Sequence, residues 1–142
     1  MFYKIVKNLI FILVLISIAS CESKVEKDII GTWIIDDIYF YNKPIRDSLL
    51  ANAFVLKKDK TCELPIIDIK DNHTIKEKGE WSVSEKKGKY SLTIRSTNNL
   101  FNGIYNIDTI AKIKDASNGI IFKLKISNNQ LEIFCSKIGF VP

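Results

Sequence analysis

From residue 31 onwards, hydrophobic and polar residues alternate in short runs that are separated by polar turns. The clearest run has Tyr90, Leu92 and Ile94 at every second position, with Ser91 and Thr93 between them. Since successive side chains of a β-strand point to opposite faces, such a run predicts a strand with one buried face. No long stretch has a convincing helical period. The pattern therefore predicts an all-β domain.

Eight strands are predicted, and short turns join most of them. They cover approximately residues 32–41, 54–56, 62–69, 79–84, 90–94, 101–110, 122–126 and 131–135. A meander of this length leaves two open edges unless its first strand pairs with its last. We therefore expect a closed, eight-stranded, up-and-down antiparallel barrel.

A glycine followed two positions later by an aromatic residue recurs along the chain. The strings are Gly31-Thr32-Trp33, Gly79-Glu80-Trp81 and the weaker Gly103-Ile104-Tyr105. A glycine allows the backbone to bend at a sheet corner, and the aromatic side chain fills the space beneath the bend. We expect both glycines of the first two strings, and the first Trp, to serve the fold.

The first predicted strand contains two adjacent acidic residues. Strict alternation from Trp33 would bury the carboxylate of Asp37. A one-residue bulge at Asp36-Asp37 keeps both carboxylates outside and turns Ile38 and Phe40 inward. We favour the bulge, which also removes the interpretation of these residues as a catalytic carboxylate pair.

The first 20 residues are typical of a signal peptide and lie outside the predicted domain. Lys4 and Lys7 precede an apolar run over residues 9–18, and small residues follow it. The uncharged stretch of residues 8–21 has 14 residues, fewer than the ~20 that a spanning helix needs. The alternative to a signal peptide in which Cys21 has a role is an ordinary secretory peptide, in which Cys21 is incidental.

Removing the signal peptide also changes the charge. Without its two lysines, 19 of the 21 basic residues remain against 16 acidic ones, a charge of about +3. Most lysines are spread along the chain, and no basic and aromatic residues interleave, so nucleic acid is not an expected partner. Lys86, Lys87 and Lys89 cluster in a predicted turn, which is either a solubilised hairpin tip or a contact with anionic lipid.

The residues that carry enzyme chemistry are sparse. His73 is the single histidine, and it could be drawn into a metal cluster with Asp68, Asp71 and Glu77. That spacing matches no ligand motif, and Asp-Asn-His is ordinary turn chemistry. No nucleophile elbow or phosphate-binding loop is present. We expect neither an enzyme, nor a metal site, nor a cofactor.

Cys62 and Cys135 raise the question of a disulfide in an exported protein. In a closed barrel their strands lie three apart, at least ~14 Å across the sheet. A disulfide requires Cα atoms within ~7 Å, so we expect two free thiols that act as small apolar fillers. A bridge across an irregular barrel end is the alternative.

Ile18-Ala19-Ser20-Cys21 resembles the bacterial lipobox. The resemblance implies cleavage before Cys21, a diacylglyceryl thioether on its sulfur and an acyl chain on its new amine. Three chains would anchor the protein permanently in a lipid bilayer. Residues 21–30 would then form a polar tether. Glu22 is not the Asp that retains lipoproteins at the inner membrane in enteric-type sorting, so we expect the outer membrane.

Gly31-Thr32-Trp33 also resembles the Gly-x-Trp of lipocalins. The succession Phe54-x-Leu56, Asp59-x-Thr61-Cys62, Gly79-x-Trp81-Ser82-Val83 and Leu92-Thr93-Ile94 is similar to the lipocalin-like domains of bacterial lipoproteins. This resemblance covers residues 31–137 and implies a lipocalin-like barrel over 31–142, with an apolar ligand cavity in many relatives. Lys60 replaces the glycine that is usual after Asp in the first hairpin.

Two functions from different classes follow. An eight-stranded barrel can just be filled by side chains, or it can hold one small ligand. If it holds a ligand, the candidate lining is Phe54, Leu56, Trp81, Tyr90, Leu92, Tyr105, Phe122 and Leu124. The first function is a monomeric, non-catalytic carrier of a small apolar molecule. The second is a filled barrel that serves as a structural or protein-interaction module of the cell envelope, with an exposed apolar patch around Phe134, Phe140 and Val141.

Overall fold

The computed structural model describes residues 23–66, 76–114 and 119–140. Within these ranges one short helix, α1 (Lys24–Ile29), precedes nine strands and a 3-10 turn (Arg46–Ser48). The strands are β1 (Gly31–Phe40), β2 (Lys43–Pro44), β3 (Ala53–Leu56), β4 (Thr61–Pro65), β5 (Lys76–Lys86), β6 (Lys89–Ser96), β7 (Gly103–Lys114), β8 (Gly119–Ser127) and β9 (Leu131–Phe140).

The strands close into an eight-stranded antiparallel barrel, as the sequence predicts. Their order is β1-β3-β4-β5-β6-β7-β8-β9, and β9 pairs back with β1. That closing ladder runs from the pair Ile34 and Ser136 to the pair Phe40 and Leu131. The two-residue strand β2 is an addition to the end of β1, which it meets at Phe40. Closure removes the two sheet edges that a meander would leave open.

The two ends of the barrel differ in what they carry. Because neighbouring strands are antiparallel, β1 begins at the same end as the β3–β4 turn (residues 57–60) and the β5–β6 turn (residues 87–88). Strands β7 and β9 finish at that end, and β8 begins there. We call it the α1 end, since α1 leads directly into β1, and we call the opposite end the far end.

The predicted bulge in β1 is confirmed. The pairing of β1 with β9 shifts register between Ile35 and Asp37. Ile35 and Ile38 are buried, whereas Asp37 is exposed. On the outer surface, Asp36 forms an ion pair of 2.9 Å with Lys123 of β8. The extra residue therefore spares the barrel a buried carboxylate, which would be costly without a partner.

Several strand limits differ from the prediction. β4 ends at Pro65, where the missing N–H ends the ladder, and residues 67–69 of the predicted strand lie outside the described residues. β7 extends four residues beyond the predicted end at 110, and β9 continues to Phe140. Lys60 occupies the glycine position of the β3–β4 turn with a φ of 69°.

The predicted tether of residues 21–30 is partly wrong, because six of its ten residues, Lys24–Ile29, are helical. Ser23 caps α1 by accepting a hydrogen bond from the backbone N–H of Glu26 at 3.1 Å. Val25 and Ile29 lie four residues apart on one helix face, and both pack into the core, where Ile29 is fully buried. The string Ser23-x-x-Glu26 is the capping-box signature, so the sequence did carry the signal. The folded domain therefore begins before residue 31.

The backbone and side chains around Gly79 leave no room for a larger residue. A Cβ atom there would lie 2.7 Å from the Arg95 carbonyl oxygen and 3.1 Å from the Cys62 sulfur. The neighbouring strand β6 holds that carbonyl in place through the pair of Gly79 with Ser96. Trp81, two positions on, is almost completely buried.

We predict that Gly79→Ala lowers the free energy of unfolding by about 1–3 kcal/mol, as overpacking against fixed backbone does. The control is Gly88→Asn, since Gly88 has a φ of 74° and nothing within 4 Å of its Cβ position. Asn tolerates the left-handed region, so that change should stay within about 0.5 kcal/mol. Urea denaturation of both variants measures the difference, and wild-type stability of Gly79→Ala would contradict the packing described here.

Candidate functional site

The barrel interior is the site that the lipocalin resemblance implies, and its candidate lining is mostly buried. Six of the eight side chains are exposed by 3% or less: Phe54, Leu56, Trp81, Leu92, Tyr105 and Leu124. The two others, Tyr90 and Phe122, are half-buried and lie near the α1 end. Six of the candidate residues therefore lie in the barrel interior, and their packing decides whether they surround a space.

The packing of these side chains answers that question for the described residues. Leu56, Leu92 and Tyr105 have an exposed fraction of 0%. A side chain that faced an internal void large enough for water would have accessible surface on that side. Four other interior residues also have an exposed fraction of 0% and therefore face no such void: Trp33, Ile35, Leu64 and Ile126. The described interior is therefore a packed core, which is one of the two states open to an eight-stranded barrel.

Polar groups inside the barrel bond mainly to the protein's own backbone. The Trp81 indole Nε1–H donates to the Lys57 carbonyl at 2.9 Å, and the Tyr105 hydroxyl donates to the Phe101 carbonyl at 2.9 Å. Burial raises the pKa of Tyr105, so its hydroxyl keeps its proton. Among the described side chains the exception is Glu77, whose Oε2 atom is buried without a hydrogen-bond partner.

The α1 end of the barrel is closed by Trp33 and by the helix itself. Trp33 is fully buried, and its Nε1–H donates to the Ile29 carbonyl at 2.6 Å. The ammonium of Lys137 in β9 lies 4.6 Å from the centre of the Trp33 ring and donates to the Ile30 carbonyl at 2.7 Å. Burial lowers the pKa of Lys137 to about 8. These contacts join α1, β1 and β9 across the opening.

The two described cysteines are free, as predicted. Cys62 in β4 and Cys135 in β9 are buried, and β1 and β3 lie between their strands. Burial raises the pKa of the Cys62 thiol to about 11 and raises that of Cys135 as well. Both thiols are therefore protonated, unreactive fillers of the core.

The metal cluster considered from the sequence falls mostly outside the described residues. Of its four members the structure describes only Glu77, because Asp68, Asp71 and His73 lie in the range 67–75. In the described ranges, no three His, Cys, Asp or Glu side chains are arranged to hold a metal ion. No helix in the same ranges has the length and apolar character needed to cross a membrane.

The outer surface carries an apolar feature that the sequence did not predict. Ile113 of β7 pairs with Ile121 of β8, which pairs with Ile138 of β9. Ile138 is 75% exposed and Ile113 is 49% exposed. Both isoleucines lie beyond the residues assigned to these strands from the sequence, approximately 101–110 and 131–135.

The apolar patch that was considered around Phe134 is only partly described. Phe134 lies on the outer face in edge-to-face contact with Tyr39, at 6.2 Å between ring centres. The ammonium of Lys125 lies 5.0 Å from its ring, so Phe134 is half-covered. Val141 lies outside the described residues.

No family model, curated protein or solved structure matches this chain. Its class is therefore defined by its own fold and interior. It is a closed eight-stranded antiparallel β-barrel protein with a packed core and a helix across one end.

Proposed function

We propose that this chain is a lipocalin-like lipoprotein of a bacterial cell envelope, anchored by lipid on Cys21, and that it acts through its outer surface as an interaction module. One observation favours an interaction module over a ligand carrier: interior residues such as Leu56, Leu92 and Tyr105 have an exposed fraction of 0%. A carrier of a small apolar molecule needs an enclosed apolar volume, and this packing leaves none against those residues.

The anchor part of the proposal rests on the string Ile18-Ala19-Ser20-Cys21, which resembles the lipobox, and on the apolar run before it. The position of α1 supports it, because the helix begins three residues after Cys21. A lipid on Cys21 would therefore lie beside the folded barrel. We place the protein at the outer membrane, as a monomer without catalytic activity.

We predict that Cys21→Ser abolishes acylation and releases the protein from membranes, because no lipid chain remains to hold it. The measurement is fractionation of cells that express each form, with mass spectrometry of the mature N-terminus. Cys62→Ala is the matched control, since it removes a buried thiol and should leave the protein in the membrane fraction. A Cys21→Ser protein that is cleaved at the same bond and sediments with membranes like the wild type would refute the anchor.

We predict no saturable binding of apolar ligands inside the barrel, because the interior is already occupied by side chains. Protein stripped of lipid is titrated with fatty acids, retinoids and an apolar dye, while Trp emission and the thermal midpoint are followed. A ligand that binds only the folded state must raise that midpoint. A fatty-acid-binding protein serves as the positive control of the assay.

The variant Trp81→Phe sharpens this titration. Trp81 is the interior aromatic residue most suited to report a ligand, and it is 3% exposed. If the interior is filled, the variant and the wild type should both fail to bind. Saturable binding by the wild type that Trp81→Phe weakens would instead establish the carrier.

A further inference from the structure

Three isoleucines form an apolar row on the outer face near the α1 end, in which a half-buried Ile121 lies between the exposed Ile113 and Ile138. Ile113, Ile121 and Ile138 are neighbours across β7, β8 and β9. Two of them are among the most exposed large hydrophobic residues of the described chain, at 49% for Ile113 and 75% for Ile138. Single exposed apolar residues need no explanation, but adjacent ones on three strands form a patch that favours an apolar partner.

This isoleucine row lies next to the contacts that hold α1. The preceding cross-strand row consists of Lys112, Phe122 and Lys137. Lys112 forms an ion pair of 3.4 Å with Asp28 of α1, and Lys137 donates to the carbonyls of Asp28 and Ile30. The two rows are one residue apart, about 3.4 Å along the strands.

The length of chain before α1 fixes how far a lipid on Cys21 can lie from this region. Lys24, the first residue of the helix, comes three positions after Cys21, with only two residues between them. Three residues span at most about 10 Å. The same barrel end therefore carries α1, the isoleucine row and the proposed point of attachment to the bilayer.

The charges at the α1 end fit an anionic surface. Seven exposed lysines of this end have no ion pair within the described residues: Lys24 and Lys27 of α1, and Lys58, Lys86, Lys87, Lys89 and Lys114 of the turns and strand ends. They outnumber the exposed acids of the same turns and strand ends, Asp59 and Glu85. The helix acids are already neutralised, since Glu26 pairs with Lys60 and Asp28 pairs with Lys112. Basic residues that are free of partners and close to a membrane are attracted to anionic lipid headgroups.

We propose that the α1 end rests on the bilayer, with the isoleucine row at the level of the lipid headgroups and the free lysines against anionic lipids. The inference rests on the proposed lipid anchor and adds a second, protein-mediated contact that orients the barrel. The far end then points away from the membrane. Two observations favour the bilayer over a protein partner. The proposed lipid site, Cys21, lies close to the isoleucine row, and the charge of this end is basic.

The test places a tryptophan at each end of one strand. Ile113 and Ile104 are both exposed residues of β7, at 49% and 65%, and lie nine residues apart, about 30 Å along the strand. Mature acylated protein carrying Ile113→Trp or Ile104→Trp is reconstituted into vesicles of phosphatidylglycerol and phosphatidylcholine with brominated acyl chains. The native Trp33 and Trp81 are buried and supply a constant background.

We expect Ile113→Trp to lose most of its added emission to bromine quenching and Ile104→Trp to lose none. Ile138→Trp, on the neighbouring strand, is a second variant that should behave like Ile113→Trp. Adding Lys86→Gln, Lys87→Gln and Lys89→Gln together should reduce the quenching of Ile113→Trp, and an unchanged value would overturn the role of these lysines.

The outcomes separate this inference from the anchor on which it rests. Protein that floats with the vesicles while Ile113→Trp and Ile138→Trp stay unquenched would overturn the membrane contact and leave the anchor standing. Equal quenching at Ile113 and Ile104 would overturn the orientation. Protein that does not float at all would overturn the anchor, and the membrane contact with it.

Discussion

The contacts that Trp33 makes with the residues around it close one end of the barrel. The indole donates to the Ile29 carbonyl at the end of α1, and the Lys137 ammonium lies over its ring. Lys137 can reach this position because β9 pairs with β1 at Ile34 and Ser136, one residue away. The pairing of β9 with β1 that closes the sheet therefore also brings together the residues that close its end. If these contacts of Trp33 and Lys137 broke, α1 would no longer be held against the barrel and Ile29 would be exposed.

The closed end and the packed interior are the reasons for proposing that the protein acts through its outer surface. In the part of the chain that the structure describes, the interior side chains with an exposed fraction of 0% have no water-sized space against them, so a ligand could reach them only by displacing them. Such rearrangement of a tightly packed core is costly. The outer surface, in contrast, differs from end to end. The α1 end combines exposed isoleucines with free lysines, and the far end is displayed in the opposite direction.

The sequence predicts the fold well because alternation is a local signal. Tyr90, Leu92 and Ile94 specify one strand, and the cost of burying Asp37 specifies the bulge in another. Helix α1 was missed because it is short and mostly charged, so that Val25 and Ile29 are its only apolar pair at helical spacing. Alternation also identifies which side chains point inward but not whether their volumes fill the space. Whether the interior holds a cavity therefore could not be predicted.

Hydrogen exchange at the Trp33 indole measures whether the α1 end is closed and the interior packed. The indole N–H is buried and bonded to the Ile29 carbonyl at 2.6 Å, so it should exchange only when the whole domain unfolds. NMR-detected exchange should then give an opening free energy equal to the free energy of unfolding from denaturant. Rapid exchange at Trp33, while the backbone amides of β1 stay protected, would show that the end opens by itself and would contradict the closed barrel.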